Sequence, residues 1–65
     1  MDEMIEKTTL AYCRIFPELK QDYLNSGDDT IINIVVEKLI EKNKNKSILD
    51  VGSLKTQIKN ILNSL

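Results

Sequence analysis

DDTIINIVVEKLIEK, residues 28–42, is the stretch whose reading decides the fold. Asp28 and Asp29 stand where a helix start calls for a cap and first-turn negative charge. Ile31, Ile32, Ile34, Val35, Val36, Leu39 and Ile40 follow. At 100° per residue these spread over an arc of roughly 240°, interrupted only by Lys38 near one edge. Thr30, Asn33, Glu37 and Glu41 fill the remaining sector. An ordinary surface helix needs an apolar stripe of only about 100°. The arc therefore predicts a helix covered from at least two sides, by the rest of the chain or by a second copy. Isoleucine, valine and threonine also favour strands, and a short apolar run does not separate the two by itself. Helix is preferred because the pattern continues through Leu39 and Ile40, past usual strand length. No second stretch offers a strand to pair with.

The rest of the chain limits how that helix can be covered. With 65 residues the sequence allows one domain, residues 1–65, with one core. A domain of this size buries only about 60% of the surface its unfolded chain exposes. Small chains compensate with disulfides, a metal, oligomerisation or regular helix packing. Cys13 is the only cysteine and histidine is absent, so neither an internal disulfide nor the usual zinc ligands are available. Helix packing and self-association remain, and a homodimer is the expected state. The start, Met1-Asp2-Glu3-Met4, is acidic where an export signal is basic. The longest apolar run, residues 31–36, is broken by Asn33 and falls far short of the ~20 residues that span a bilayer. The expectation is a protein of the cytoplasm (bacterial or host-cell interior) with no membrane contact. Asn, Lys and Ile richness points to an AT-rich genome, such as a low-GC bacterium or a virus.

Net charge is −1, but it is unevenly placed. Residues 1–41 carry four basic against nine acidic side chains, a net of −5. Residues 42–65 carry five lysines against Asp50, a net of +4. Such asymmetry suits either a nucleic-acid surface or two halves that attract one another, and the second is preferred for a small acidic protein.

Flanking helices can be placed from their punctuation. Residues 2–16 read as a helix, with Met4, Ile5, Thr8, Ala11, Tyr12, Ile15 and Phe16 on its inward face. Leu10 projects from the opposite, charged side, and Cys13 lies off the inward face. Pro17 ends this helix and suits the first position of another, residues 17–25, with Leu19, Tyr23 and Leu24 inward. Gly27 is placed to close it in the left-handed conformation. Residues 42–46, KNKNK, read as a frayed end or loop, and residues 47–51 as a single turn before Gly52. Ser53 looks like the cap of a last helix, residues 54–65, whose Leu54, Ile58, Ile61 and Leu65, with Leu62 alongside, form a narrow apolar seam. The predicted fold is all-α: three to four short helices bundled around residues 28–42.

Chemical motifs are sparse. No histidine serves acid–base work near neutral pH, and Gly27 and Gly52 stand alone, so no glycine-rich phosphate loop is present. Asp28-Asp29 fails the alternating spacing of a calcium loop and is accounted for by helix capping. No catalytic, metal, cofactor or small-molecule site is expected. Cys13 reads as a half-buried small side chain.

Two functional readings compete. The first is a small regulatory or adaptor protein acting by helix-mediated contact with a protein partner or with itself. Leu10, Ile31, Ile34, Leu54, Ile58, Ile61 and Leu65 are its candidate interface residues. The second takes residues 47–65 as a helix-turn-helix-like DNA-binding module or repressor. Gly52 would sit in the turn, Val51 before it, and Ile58 and Ile61 would anchor the second helix. Lys55, Thr56, Gln57, Lys59 and Asn60 would face phosphates and base edges. Ile48, where that motif prefers a small residue, and Ser53, where it prefers an apolar one, depart from the pattern. The protein-contact reading is preferred.

Overall fold

The computed structural model describes residues 3–42 and 50–65. Four helices follow one another: α1 (Glu3–Ile15), α2 (Pro17–Ser26), α3 (Thr30–Lys42) and α4 (Val51–Asn63). The protein is an all-α bundle, and no strand occurs among the described residues. Helices α1, α3 and α4 each pack against the other two, while α2 lies across α1 and α3 and touches α4.

Each boundary has a local cause. Glu3 and Glu6 occupy the first turn of α1 and Arg14 the last, the arrangement the helix dipole favours. Phe16 then serves two helices. Its N–H still bonds Tyr12 O (2.9 Å), while its carbonyl accepts from Leu19 and Lys20 at the start of α2. Pro17 sits in the first turn of α2, where the missing N–H costs nothing. Gly27, at φ 73° and ψ 24°, closes α2 by donating its N–H to Tyr23 O at 2.8 Å. Asp28 follows at once, and its carboxylate accepts from the Thr30 N–H (2.9 Å) and hydroxyl (2.6 Å). The first turn of α3 closes with Asn33 N–H on Asp29 O.

The last helix starts earlier than Ser53 suggests. Asp50 is its cap: the carboxylate accepts from Ser53 N–H (3.3 Å) and the carbonyl from Leu54 N–H (3.0 Å). Val51, Gly52 and Ser53 therefore belong to the first turn of α4. This corrects the assignment of Ser53 as cap and of Gly52 as turn residue.

At the centre of the core lies α3, with Ile31, Ile32, Val35, Val36 and Leu39 all buried. These span about 140° of the helix circumference at 100° per residue. Leu54, Ile58, Ile61 and Leu62 of α4 and Ile5 and Cys13 of α1 complete the core, with Tyr12, Leu19 and Tyr23 against its edge. Of the two ways to cover α3, by the rest of the chain or by a second copy, the chain's own helices thus account for most of the arc. Of its seven apolar residues only Ile34, half-buried, and Ile40, 39% exposed, are left at the rims. All three other helices pack against α3 and together cover that arc.

The inward face of α1 is also corrected. Ile5, Thr8, Thr9 and Cys13 are buried, whereas Met4, Ala11 and Ile15 are exposed, Ile15 to 61%. The face is turned by about 60° from the hydropathy pattern, at 100° per residue. Thr9 hides part of this from a sequence reading, since its polar hydroxyl masks a β-branched, valine-like body. Thr9, fully buried, returns its hydroxyl to Ile5 O at 2.8 Å, and Thr8 accepts from Lys42 Nζ at 3.4 Å across the α1–α3 contact. With those partners both can be buried without an orphaned polar atom. On α2, Leu19 and Tyr23 point inward as expected, but Leu24 is 43% exposed.

Candidate interaction groove

The seven candidate interface residues separate into two groups. Ile31, Leu54, Ile58 and Ile61 lie inside the chain's own core, each at most 5% exposed. A partner could reach them only if the bundle opened, so the seam of α4 faces the chain itself. Leu10 and Leu65, by contrast, are 37% and 54% exposed and are brought together from opposite ends of the sequence. Ile34 stays half-buried on the rim of α3, apart from them.

Two adjoining cavities share Leu10 and Leu65 as walls. The larger, about 360 Å³, is completed by Cys13, Arg14, Pro17, Lys20 and Gln21. The smaller, about 190 Å³, is completed by Glu6, Ile61 and Ser64. Together they form a shallow groove along α1, bounded by α2 on one side and by the end of α4 on the other. Its position follows from the helix wheel: Glu6, Leu10, Cys13 and Arg14 share one side of α1, next to the buried face. Pro17, Lys20 and Gln21 share one side of α2.

Charge is distributed along the groove. Glu6 marks one end, and Arg14 with Lys20 marks the other. None of the three has an ion-pair partner among the described residues, where the Glu3–Lys7 pair (3.1 Å) lies out in solvent. Cys13 closes the floor, and burial raises its thiol above the usual value while the Lys20 ammonium pulls modestly the other way. A thiol so placed is poorly ionised at neutral pH and behaves as a small apolar side chain. This corrects its placement off the core face.

Leu10 stood out in the sequence as an apolar residue on a charged face. Arg14, Lys20 and Gln21 did not, because Lys20 and Gln21 reach the groove only through the turn at Phe16 and Pro17. The one signal available was the four-residue step from Glu6 to Leu10 to Arg14.

The nucleic-acid candidates lie on the outer side of α4. Lys55, Thr56, Lys59 and Asn60 are exposed and Gln57 is half-buried. Thr56 donates its hydroxyl to Gly52 O (3.0 Å) and Gln57 its amide to Ser53 Oγ (3.2 Å), both within the helix. Gly52 is helical, and Val51, the supposed anchor before the turn, is 40% exposed. The turn that a helix-turn-helix reading needs is therefore not at Gly52. Residues 43–49, which include most of KNKNK and Ile48, lie outside the described residues. Among the described residues no three His, Cys, Asp or Glu side chains gather as metal ligands, and no helix is long and apolar enough to cross a membrane.

Fold and groove define a class: a small all-α bundle with one flank left apolar between unlike charges. No family model matches the chain, and comparison with curated proteins and with solved structures likewise gives no match.

Proposed function

We propose that this chain is a small intracellular regulatory or adaptor protein that works by holding a protein surface in the Leu10–Leu65 groove. One observation supports this above the others. Two leucines from distant parts of the sequence share an open groove with charged side chains that lack ion-pair partners among the described residues. Apolar area supplies affinity in such a site, and the rim charges select and orient the partner. The chemistry is that of recognition: nothing in the residues gathered here activates a nucleophile or moves a proton near neutral pH.

A photo-crosslinking side chain at exposed Gln21, on the groove wall, tests this in the native host. The expected outcome is a discrete crosslinked product that is lost when Leu10→Asp is added. The same label at Asn33, on the outer side of α3, should give none. Equal labelling from both positions would refute the groove. The competing reading, nucleic-acid contact through Lys55, Thr56, Gln57, Lys59 and Asn60, retains the exposure of both lysines in its favour. It requires a gel shift that weakens steeply with salt and is lost in Lys55→Glu/Lys59→Glu.

A further inference from the structure

We propose that the occupant of the groove is a second copy of this chain, laid antiparallel along α1 with a two-fold axis beside Leu10. The inference rests on the groove being a protein-docking site, and it names the partner. The two cavities meet at Leu10 and Leu65, with Glu6 on one side and Arg14 and Lys20 on the other. Along α1, Glu6, Leu10 and Arg14 step by four and stay within about 80° of one another on the helix surface. The two charges are about 12 Å apart along the axis. Read backwards, acid–leucine–base becomes base–leucine–acid. The strip is therefore complementary to itself when reversed, as an isologous two-fold contact requires.

In this arrangement Glu6 meets Arg14 of the second copy, Arg14 meets its Glu6, and the two Leu10 side chains touch at the axis. Leu65 of each copy flanks that contact, and Lys20 adds a second cation at the end facing the incoming Glu6. A foreign protein would need the same three groups at the same spacing in reverse, which a second copy already has. The strip involves about six residues a side, against the roughly 20–30 a side of a stable interface. The dimer is consequently weak and depends on concentration and salt.

Sedimentation equilibrium of the full chain across a concentration series, at low and moderate salt, tests the proposal. The expected result is a monomer–dimer equilibrium whose dissociation constant rises with salt. Glu6→Arg or Arg14→Glu alone sets like charges face to face and should weaken the dimer by about tenfold or more. The combined Glu6→Arg/Arg14→Glu swap restores the pairing and should recover most of the affinity. Both positions are exposed, and circular dichroism verifies that each variant keeps its helices. Leu10→Cys in a Cys13→Ala background should form a disulfide-linked dimer on mild oxidation, since the axis brings position 10 to itself. Asn33→Cys in the same background should not. A wild-type chain that stays monomeric throughout, or a double swap no better than the single changes, overturns the proposal. If the chain is monomeric but the Gln21 crosslinker captures a different protein through Leu10, the dimer falls and the groove reading stands. If it captures nothing, both fall.

Discussion

Asp28 shows how far one exposed side chain can influence a helix start. Its carboxylate receives the Thr30 hydroxyl and, second, the Thr30 N–H, and these hold its pKa below the ordinary value. A depressed carboxylate contributes to stability above its unfolded pKa and loses that contribution as pH falls through the folded value. The melting temperature should therefore drop as pH is lowered from about 5 toward 2, with part of the drop due to Asp28. Asp28→Asn keeps an acceptor for Thr30 but does not titrate in that window. Thermal melts followed by circular dichroism should show a shallower acid slope for the variant. The first-turn charge expected of the Asp28-Asp29 pair is not found, since α3 begins at Thr30 with no acidic residue in its first turn. Asp28 could be assigned to capping from sequence alone, because capping depends on neighbours within two or three positions. The burial of Thr9 could not: its hydroxyl is satisfied by a carbonyl one turn back, which the residue type does not announce.

The two glycines separate helix-closing from helix-filling positions. Gly27 sits at φ 73° with open space around the place a Cβ would occupy. Gly27→Ala should therefore cost roughly 1 kcal/mol through left-handed backbone strain alone. Gly52 is helical, and an added Cβ would approach Asp50 Oδ1 at 3.3 Å, an exposed side chain already at the long end of its cap bond. The gain in helix propensity, up to about 1 kcal/mol, is set against that small displacement. Gly52→Ala should thus shift stability little in either direction, and urea denaturation of the two variants tells the positions apart. The limits of α2 were legible because Pro17 and Gly27 act on their immediate neighbours. The start of α4 was not, since Asp50 and Ser53 are both competent caps three residues apart and residue type does not rank them. The rotation of α1 escaped detection because Thr9 and Cys13 lie off the stripe that Met4, Ala11 and Ile15 define, so those exposed residues counted as core.

For the molecule as a whole, the question is how small a chain can be and still surround a helix with apolar side chains at seven of its thirteen positions. Among the described residues eleven hydrophobic side chains form the core, and α3 supplies five of them. A fold of this length holds only about 3–10 kcal/mol in total, at the usual stability per residue. Ile58, fully buried, should cost about 2–5 kcal/mol when cut to alanine. Ile58→Ala is thus expected to leave much of the population unfolded at 25 °C, whereas Leu10→Asp should change the denaturation midpoint little. Equal effects from the two would mean that Leu10 is not a surface residue. The all-helical class and the central role of α3 were legible in the isoleucine-rich pattern. The groove was not, because it exists only once residues near 10, 20 and 65 are brought together.

The lone thiol of Cys13 gives the bundle a reporter of its own breathing. Shielded and reluctant to ionise, it should resist alkylation while α1 stays seated, and react whenever that helix lifts. With no other sulfhydryl in the chain to confuse the reading, the labelling rate measures how often the interior is briefly laid open.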